Sequence, residues 1–194
     1  MAEANTLIAP RPSRRSRVLG GFAFALIAAF SALFVFSTRG CDESASAAVL
    51  PMTISGKKFY LEVSDDDAKR FKGLSDRMEI VPDGGMLFIF PRAASLNFVM
   101  RDCPIDIDII FCDATGRVTA KHSMKSEPPR DPVTEPKPAK AGDSDAYELR
   151  LRKYPSGAPA QFVIELRGGT LDSLNVPIGT KIIENPAALK ARAR

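Results

Sequence analysis

Apolar and polar residues alternate along several short segments of this chain, a pattern typical of β-strands with one buried face. The clearest segment is 105–111, where apolar residues occupy every odd position and Asp106 and Asp108 lie between them. A half-buried strand is predicted in the same way over 57–63. Similar patterns or short apolar runs predict further strands over 86–90, 96–100, 117–122, 161–167 and 178–183.

One or two short helices are predicted between these strands. The sequence Ser-Asp-Asp-Asp at 64–67 offers an N-cap and negative charge for a first helical turn, and apolar residues follow at helical spacing as far as Leu74. In 144–154, apolar residues recur on one helical face, and Glu148 precedes Arg152 by four positions. A single further turn is expected over 170–174.

The order of these elements predicts an all-β domain of the β-sandwich or jelly-roll-like kind. The turn residues at 113–116 predict a hairpin between the strands that flank them. Five prolines between positions 128 and 138 break the pattern, so residues 125–158 are expected to form a long, partly extended and mobile insertion. The tail after residue 184 is short and basic, and it is expected to fray.

The amino-terminal part has the pattern of a targeting or anchoring element. Residues 1–17 contain four arginines and form a basic region expected in the cytoplasm, and the uncharged apolar run 18–37 is about long enough to cross a bilayer as a helix. Two interpretations stay open: a retained transmembrane anchor, or a signal peptide cleaved after Ala47. Both place the domain outside the cytoplasm, after a linker of residues 38–48.

Charge and histidine content limit the function classes. Residues 1–47 hold five arginines and three acids, so the remainder carries 22 basic and 20 acidic residues. Such a balanced domain gives no electrostatic reason to expect a nucleic-acid partner. His122 is the only histidine in the chain, and it is expected to lie at the surface. Accordingly, no metal site and no cofactor are expected.

Cysteine spacing argues against an internal disulfide. Cys103 and Cys112 bracket a predicted straight strand, which would hold them about 30 Å apart, whereas a disulfide requires Cα atoms within about 7 Å. Cys41 lies beside the apolar run. Cys103 and Cys112 are therefore expected to be reduced, buried and apolar in character.

Four motifs occur in a fixed order along the chain: Gly73-Leu74 with Arg77, the run 84–90, Phe98-x-Met100, and the acidic-apolar strand that ends at Asp113. This succession resembles the prokaryotic family called domain of unknown function 192, or uncharacterised protein family 0127. The resemblance implies a β-rich, sandwich-like domain over 49–185, interrupted by the insertion and followed by a basic tail at 186–194. It implies no activity.

Arg77, Phe98, Met100 and Asp108 match recurrent positions of that family and form the candidate ligand site. In one interpretation, Arg77 and Asp108 are the polar walls of a pocket, with Phe98 and Met100 as its apolar floor. In the other, Arg77 and Asp108 form a structural ion pair over a core that contains the two apolar residues. No catalytic residue is assigned with this site.

The sequence favours a binding or accessory module of the cell envelope over an enzyme. Its expected partners are the membrane, through the apolar run, and either a small anionic or carbohydrate ligand or an envelope protein. The alternative is a carbohydrate-active hydrolase, because Asp106 and Asp108 on one strand face would stand roughly 7 Å apart. A third hypothesis is a scaffold in which Tyr147, Leu151 and Tyr154 dock a partner helix.

Overall fold

A computed structural model describes residues 48–140 and 143–194 of the chain. The predicted basic region 1–17, the apolar run 18–37 and nearly all of the linker lie outside the described residues. Within the described part, no helix is both long enough and apolar enough to cross a membrane.

Eight strands and three short helices make up the described part of the chain. The strands are β1 (Val49–Ile54), β2 (Lys57–Ser64), β3 (Gly84–Ala94), β4 (Asn97–Phe98), β5 (Ile107–Cys112), β6 (Val118–Met124), β7 (Tyr154–Pro155) and β8 (Ala160–Arg167). The helices are α1 (Asp67–Lys72), α2 (Ala146–Arg150) and α3 (Pro186–Lys190). The predominance of β structure is as predicted.

Six strands form one mixed sheet in the order β1-β2-β3-β8-β5-β6. The β2–β3 pair is parallel, and every other neighbouring pair in this sheet is antiparallel. Strands β4 and β7, of two residues each, form a separate antiparallel pair. The predicted hairpin is confirmed as β5–β6. In place of two facing sheets of comparable size, the fold therefore has one large sheet.

Both faces of the large sheet are covered, and this explains why a second large sheet is not needed to bury it. Strand β5 is buried at every position, because successive side chains enter opposite cores. The first core joins sheet residues such as Leu61, Leu87 and Ile164 to a C-terminal cover of Leu174, Val176, Ile182, Ile183 and Leu189. The second core joins Phe88, Ile109, Phe111 and Val163 to a cover of Leu74, Ile80, Met100, Cys103 and Tyr154.

Strand β1 is an edge of the sheet, and Pro51 lies at its middle. The Val63 N–H donates a hydrogen bond to the Ala48 carbonyl at 2.9 Å. Because the hydrogen-bonded positions alternate along an antiparallel pair, the even-numbered residues of β1 form the backbone hydrogen bonds to β2. The backbone groups of Val49, Pro51 and Thr53 consequently point away from the sheet. Proline has no N–H to offer there, which makes the open edge a poorer template for another strand.

Helix α1 begins where the acidic cluster predicts, but it ends earlier than expected. The Asp66 side chain accepts a hydrogen bond from the Lys69 N–H at 2.9 Å and caps the helix. Gly73 ends it with a φ of 49° and donates its N–H to the Lys69 carbonyl. Because the helix stops at Lys72, Leu74 is free to turn into the second core.

The described residues of the insertion make specific contacts with one another that the proline pattern does not predict. The expected helix over 144–154 is wrong in extent, since α2 spans only Ala146–Arg150 and the chain becomes extended at Leu151. The guanidinium groups of Arg130 and Arg150 lie 4.5 and 4.9 Å from the centroid of the Tyr147 ring, which is buried. Arg130 also pairs with Asp145 at 2.7 Å. These contacts connect the start of the insertion to α2.

Two expectations about the C-terminal part are wrong. Residues 178–183 do not form a strand, since the structure has a single bridge there, between Arg117 and Lys181. The tail after residue 184 forms α3, whose Leu189 is buried in the first core. The Asn185 side chain caps this helix by accepting from the Ala188 N–H at 3.1 Å, and burial of Leu189 against the sheet stabilises it.

Candidate functional site: the Arg77 pocket

The connection between α1 and β3, residues 73–83, positions Arg77 and is here named the Arg77 loop. Leu74 and Ile80 anchor the loop because their side chains are buried in the second core. The Asp76 N–H donates to the Asp102 carbonyl at 2.7 Å, and the Ser75 hydroxyl donates to the Arg101 carbonyl at 2.8 Å. The loop therefore rests on the segment just after β4.

A pocket of about 340 Å³ lies between the Arg77 loop and the exposed face of β1 and β2. We name it the Arg77 pocket. Its volume is in the range of small-molecule sites. Strand alternation creates it, because Phe59, Leu61 and Val63 enter the first core and the residues between them, Tyr60 and Glu62, face the pocket. Its walls include Tyr60, Glu62, Leu74, Arg77, Glu79 and Val81.

An ion pair forms one wall of this pocket. The Arg77 guanidinium donates to the Glu62 carboxylate at 2.6 Å. The two side chains are 43% and 26% exposed, so both remain accessible to a ligand. Together they present N–H donors and carboxylate acceptors side by side.

Exposed apolar side chains surround this ion pair. Tyr60 is 46% exposed, and Val49 and Val81 are each 55% exposed. The Lys58 ammonium lies 5.1 Å from the centroid of the Tyr60 ring. Tyr60 can therefore offer an aromatic surface to a ligand at the rim of the pocket.

Asp108 lies elsewhere, and the expected ion pair between Arg77 and Asp108 is not formed. Asp108 is fully buried on β5, with its Oδ2 accepting the Leu171 N–H at 2.7 Å. Strand alternation directs it to the face opposite that of Ile107 and Ile109, which enter the second core. It stabilises the turn after β8 and does not line the Arg77 pocket.

Phe98 and Met100 belong to the second core. Met100 is 1% exposed, and the Phe98 ring packs edge-to-face against Phe88 and Phe111 at centroid distances of 5.3 and 5.4 Å. This packing agrees with the second interpretation of the sequence, in which Phe98 and Met100 are part of an apolar core. The four predicted residues therefore do not converge on one pocket, and Arg77 is the one that faces accessible space.

Asp106 and Asp108 do not form an accessible carboxylate pair. Asp106 lies just before β5, where it accepts hydrogen bonds from the Lys125 ammonium at 2.7 Å and the Ser126 N–H at 2.9 Å. The hydrogen bond from Lys125 is the main reason that the pKa of Asp106 lies below its ordinary value. With Asp108 buried, the geometry gives no support to a hydrolase that uses both groups.

The docking face proposed for the insertion is also unavailable. Tyr147, Leu151 and Tyr154 are 1%, 2% and 3% exposed, because they pack inside their own domain. Glu148 pairs with Arg101 rather than with Arg152. The structure thus contradicts the expectation that these three apolar residues dock a partner helix.

His122 and the cysteines have structural surroundings. His122 is half-buried, with its Nε2 2.8 Å from the Pro155 carbonyl oxygen. Cys103 and Cys112 are free and buried, as predicted. Burial is the main cause that raises the pKa of Cys103 to about 12. Within 48–140 and 143–194, no group of three or more His, Cys, Asp or Glu side chains could hold a metal ion.

Sequence reasoning missed Glu165, the buried acid of β8. Glu165 is 5% exposed, and among the described residues its Oε2 has no hydrogen-bond partner. Burial raises the pKa of this carboxyl to about 8. The sequence carried little signal for this burial, because Gln161, Glu165 and Arg167 alternate with Phe162, Ile164 and Leu166, a pattern that suggests a solvated face.

The family model for uncharacterised ACR proteins, domain of unknown function 192, matches residues 50–183. The chain belongs to this family. The match spans the large sheet, the Arg77 pocket and the insertion, and it confirms the resemblance carried by the sequence motifs. No curated protein matches the chain.

Two solved structures share the fold of this member of the family. One is a "putative transcription regulator" from Sinorhizobium meliloti, 25% identical, with a TM-score of 0.50, covering 68% of this chain and 87% of its own. The other is a protein of unknown function from Novosphingobium aromaticivorans, 23% identical, with a TM-score of 0.53, covering 72% of this chain and 87% of its own. At 23% identity, the likeness to the Novosphingobium protein concerns the fold alone.

Proposed function

We propose that the domain is a binding module outside the cytoplasm and that the Arg77 pocket recognises a neutral, polyhydroxylated ligand such as a sugar unit of an envelope glycan. The observation that carries this proposal is the half-exposed Arg77–Glu62 pair beside the exposed ring of Tyr60. A sugar presents both hydroxyl donors and hydroxyl acceptors, and its C–H face packs on an aromatic ring.

The charges of the pocket favour a neutral ligand over an anion. Among the residues that line it, Arg77 is positive and Glu62 and Glu79 are negative, and the further cation Lys58 lies over the Tyr60 ring at the rim. An anion would have to compete with Glu62 for the guanidinium, and Glu79 would repel it. A hydroxyl group can bind beside the intact ion pair. Of the two ligand classes expected from the sequence, carbohydrate is therefore the better supported.

The location outside the cytoplasm rests on the amino-terminal charge pattern. Four arginines precede the apolar run 18–37, and positive charge on that side favours a cytoplasmic amino terminus. The retained anchor and the cleaved signal peptide both agree with this orientation. By analogy, the description of the Sinorhizobium protein would suggest nucleic-acid binding. The near balance of 22 basic and 20 acidic residues beyond residue 47 gives that role no support.

The proposal is tested by titrating the purified protein with envelope-derived oligosaccharides and, in parallel, with small organic anions and inorganic phosphate. Binding is measured by calorimetry and by NMR shifts of the pocket backbone. We expect binding of at least one oligosaccharide. We also expect Arg77→Ala and Tyr60→Ala each to weaken binding roughly tenfold or more, which corresponds to about 1.4 kcal/mol.

The matched control is Arg92→Ala, which removes an exposed arginine that does not line the pocket. This variant should bind as the wild-type protein does. If only anions bind, or if Arg92→Ala weakens binding as much as Arg77→Ala, the pocket does not have the specificity proposed. If Tyr60→Ala binds the oligosaccharide normally, the proposal that the ligand packs on the Tyr60 ring is wrong.

A further inference from the structure

Glu165 occupies a position where an ionised carboxylate is unfavourable. In the sheet it lies between Met86 of β3 and Ile109 of β5, both members of the second core. Its Oε2 has no hydrogen-bond partner among the described residues. Burial of an unpaired carboxylate is costly, so the protonated form is the one that suits this site.

The Arg77 loop is the cover over this carboxyl. A Cβ placed on Gly73, the first residue of the loop, would lie 3.9 Å from the Glu165 Oε2 and 3.4 Å from the Phe88 ring. Gly73 has a φ of 49°, and Asp76 in the same loop has a φ of 62°. Glycine adopts a positive φ without strain, but this conformation is unfavourable for Asp76, so the loop depends on its packing to hold Asp76 in this shape.

We propose that ionisation of Glu165 opens the Arg77 loop and thereby regulates the Arg77 pocket. The loop contributes Arg77, Glu79 and Val81 to the pocket, so its displacement removes one wall. The effect on ligand binding rests on the proposed function, whereas the opening itself is a property of the loop and can be measured without any ligand.

The direction of the effect follows from proton linkage. In the closed state the pKa of Glu165 is raised to about 8, and in an open, hydrated state it returns toward its ordinary value of 4.5. Between these two values the open state binds fewer protons, so each pH unit favours opening by about tenfold. Below pH 4.5 the closed loop has its full stability, and above pH 8 the effect levels off.

The groups around Glu165 do not offset its charge. Burial is the cause that raises its pKa, and Arg70 of α1 is engaged elsewhere, since it donates to the Ile89 carbonyl and the Asp67 carboxylate. Cys103 is near enough for the charge of Glu165 to help raise the pKa of its thiol, and Asp102 and Asp76 act on that thiol in the same direction. These neighbours become negative when they ionise, so none stabilises the carboxylate.

Hydrogen exchange of the full-length protein between pH 5 and pH 8 tests the proposal. The reporters are the Ser75, Asp76 and Arg77 amides, which donate to the carbonyls of Lys72, Asp102 and Leu74 at 3.1, 2.7 and 3.2 Å. The chemical step alone speeds exchange by about tenfold per pH unit, and opening linked to Glu165 adds about tenfold more. The expected slope of log rate against pH is therefore about two in the wild type.

Glu165→Gln and Glu165→Met should both return the reporter slope to one, because neither side chain ionises. The matched control is Asp83→Asn, which removes an exposed carboxyl from the same loop and should leave the slope at two. The Gly116 amide in the β5–β6 turn should have a slope of one in every variant.

A reporter slope of one in the wild type would overturn the proposal, even if slowly exchanging core amides showed a slope of two. In that case Glu165 ionises only on global unfolding. A slope of two that persists in Glu165→Gln would overturn it as well. Since no ligand is used in the exchange experiment, it can fail while the glycan titrations succeed, and the reverse. The two proposals are therefore tested separately.

Discussion

At the scale of single residues, the recurrent motif positions divide into Arg77, which faces a pocket, two buried residues and the partly buried Phe98. Arg77 faces a pocket, whereas Phe98 and Met100 pack in the second core and Asp108 stabilises the turn after β8. A polar residue in a shared motif can therefore be structural. Asp108 acts here through one oxygen, which holds a backbone N–H that would otherwise be buried without an acceptor.

Replacing Asp108 should reveal this structural role. Asp108→Ala removes the acceptor of the Leu171 N–H and should lower the free energy of unfolding by roughly 1–3 kcal/mol. Asp108→Asn keeps a carbonyl oxygen and should lose clearly less. Urea denaturation followed by far-UV circular dichroism compares the two. Equal losses would mean that the charge, rather than the acceptor, stabilises the turn.

At the scale of elements, strands were easier to predict than the segments that cover them. The β5–β6 hairpin follows directly from alternation and a turn at 113–116. The expected strand over 178–183 and the frayed tail were wrong, because the contacts that shape these segments come from distant parts of the chain. A helix as short as α3 depends on burying Leu189 more than on local propensity.

The insertion shows the same limit. Its prolines gave no hint of the contacts that Tyr147 makes with Arg130, Arg150 and Asp102. Arg130 and Asp102 lie 17 and 45 positions from Tyr147, so no local pattern reveals those two contacts. Glu165 was missed for a related reason, since burial on both faces of β8 depends on which elements cover the sheet.

Tyr147→Phe tests how the insertion is attached to the domain. The Tyr147 hydroxyl accepts from the Asp102 N–H at 2.8 Å and donates to the Asp102 carboxylate at 3.0 Å. Its removal should lower the free energy of unfolding by about 1 kcal/mol and increase proteolysis within residues 125–145. Tyr60→Phe, at an exposed tyrosine, is the control. Unchanged proteolysis would show that the arginine contacts suffice.

At the scale of the whole molecule, the large sheet of the described residues ends in β1 and β6, and Pro51 interrupts the row of outward-pointing N–H groups on β1. Pro51→Val would place an N–H between those of Val49 and Thr53 on the outer side of β1. We expect concentration-dependent self-association, measured by sedimentation velocity, because two such edges can then pair. Thr53→Val raises strand propensity at the same edge without adding an N–H, and it should sediment as the wild type does if the proline is the deciding feature.

The central position of β8 also has a consequence for biosynthesis. Strand β8 lies between β3 and β5 in the sheet, although it is the last strand to be made. Until residues 160–167 have emerged from the ribosome, β3 and β5 each expose an unpaired apolar edge. The nascent domain must therefore stay unfolded, or be held by a chaperone, until nearly its full length is present.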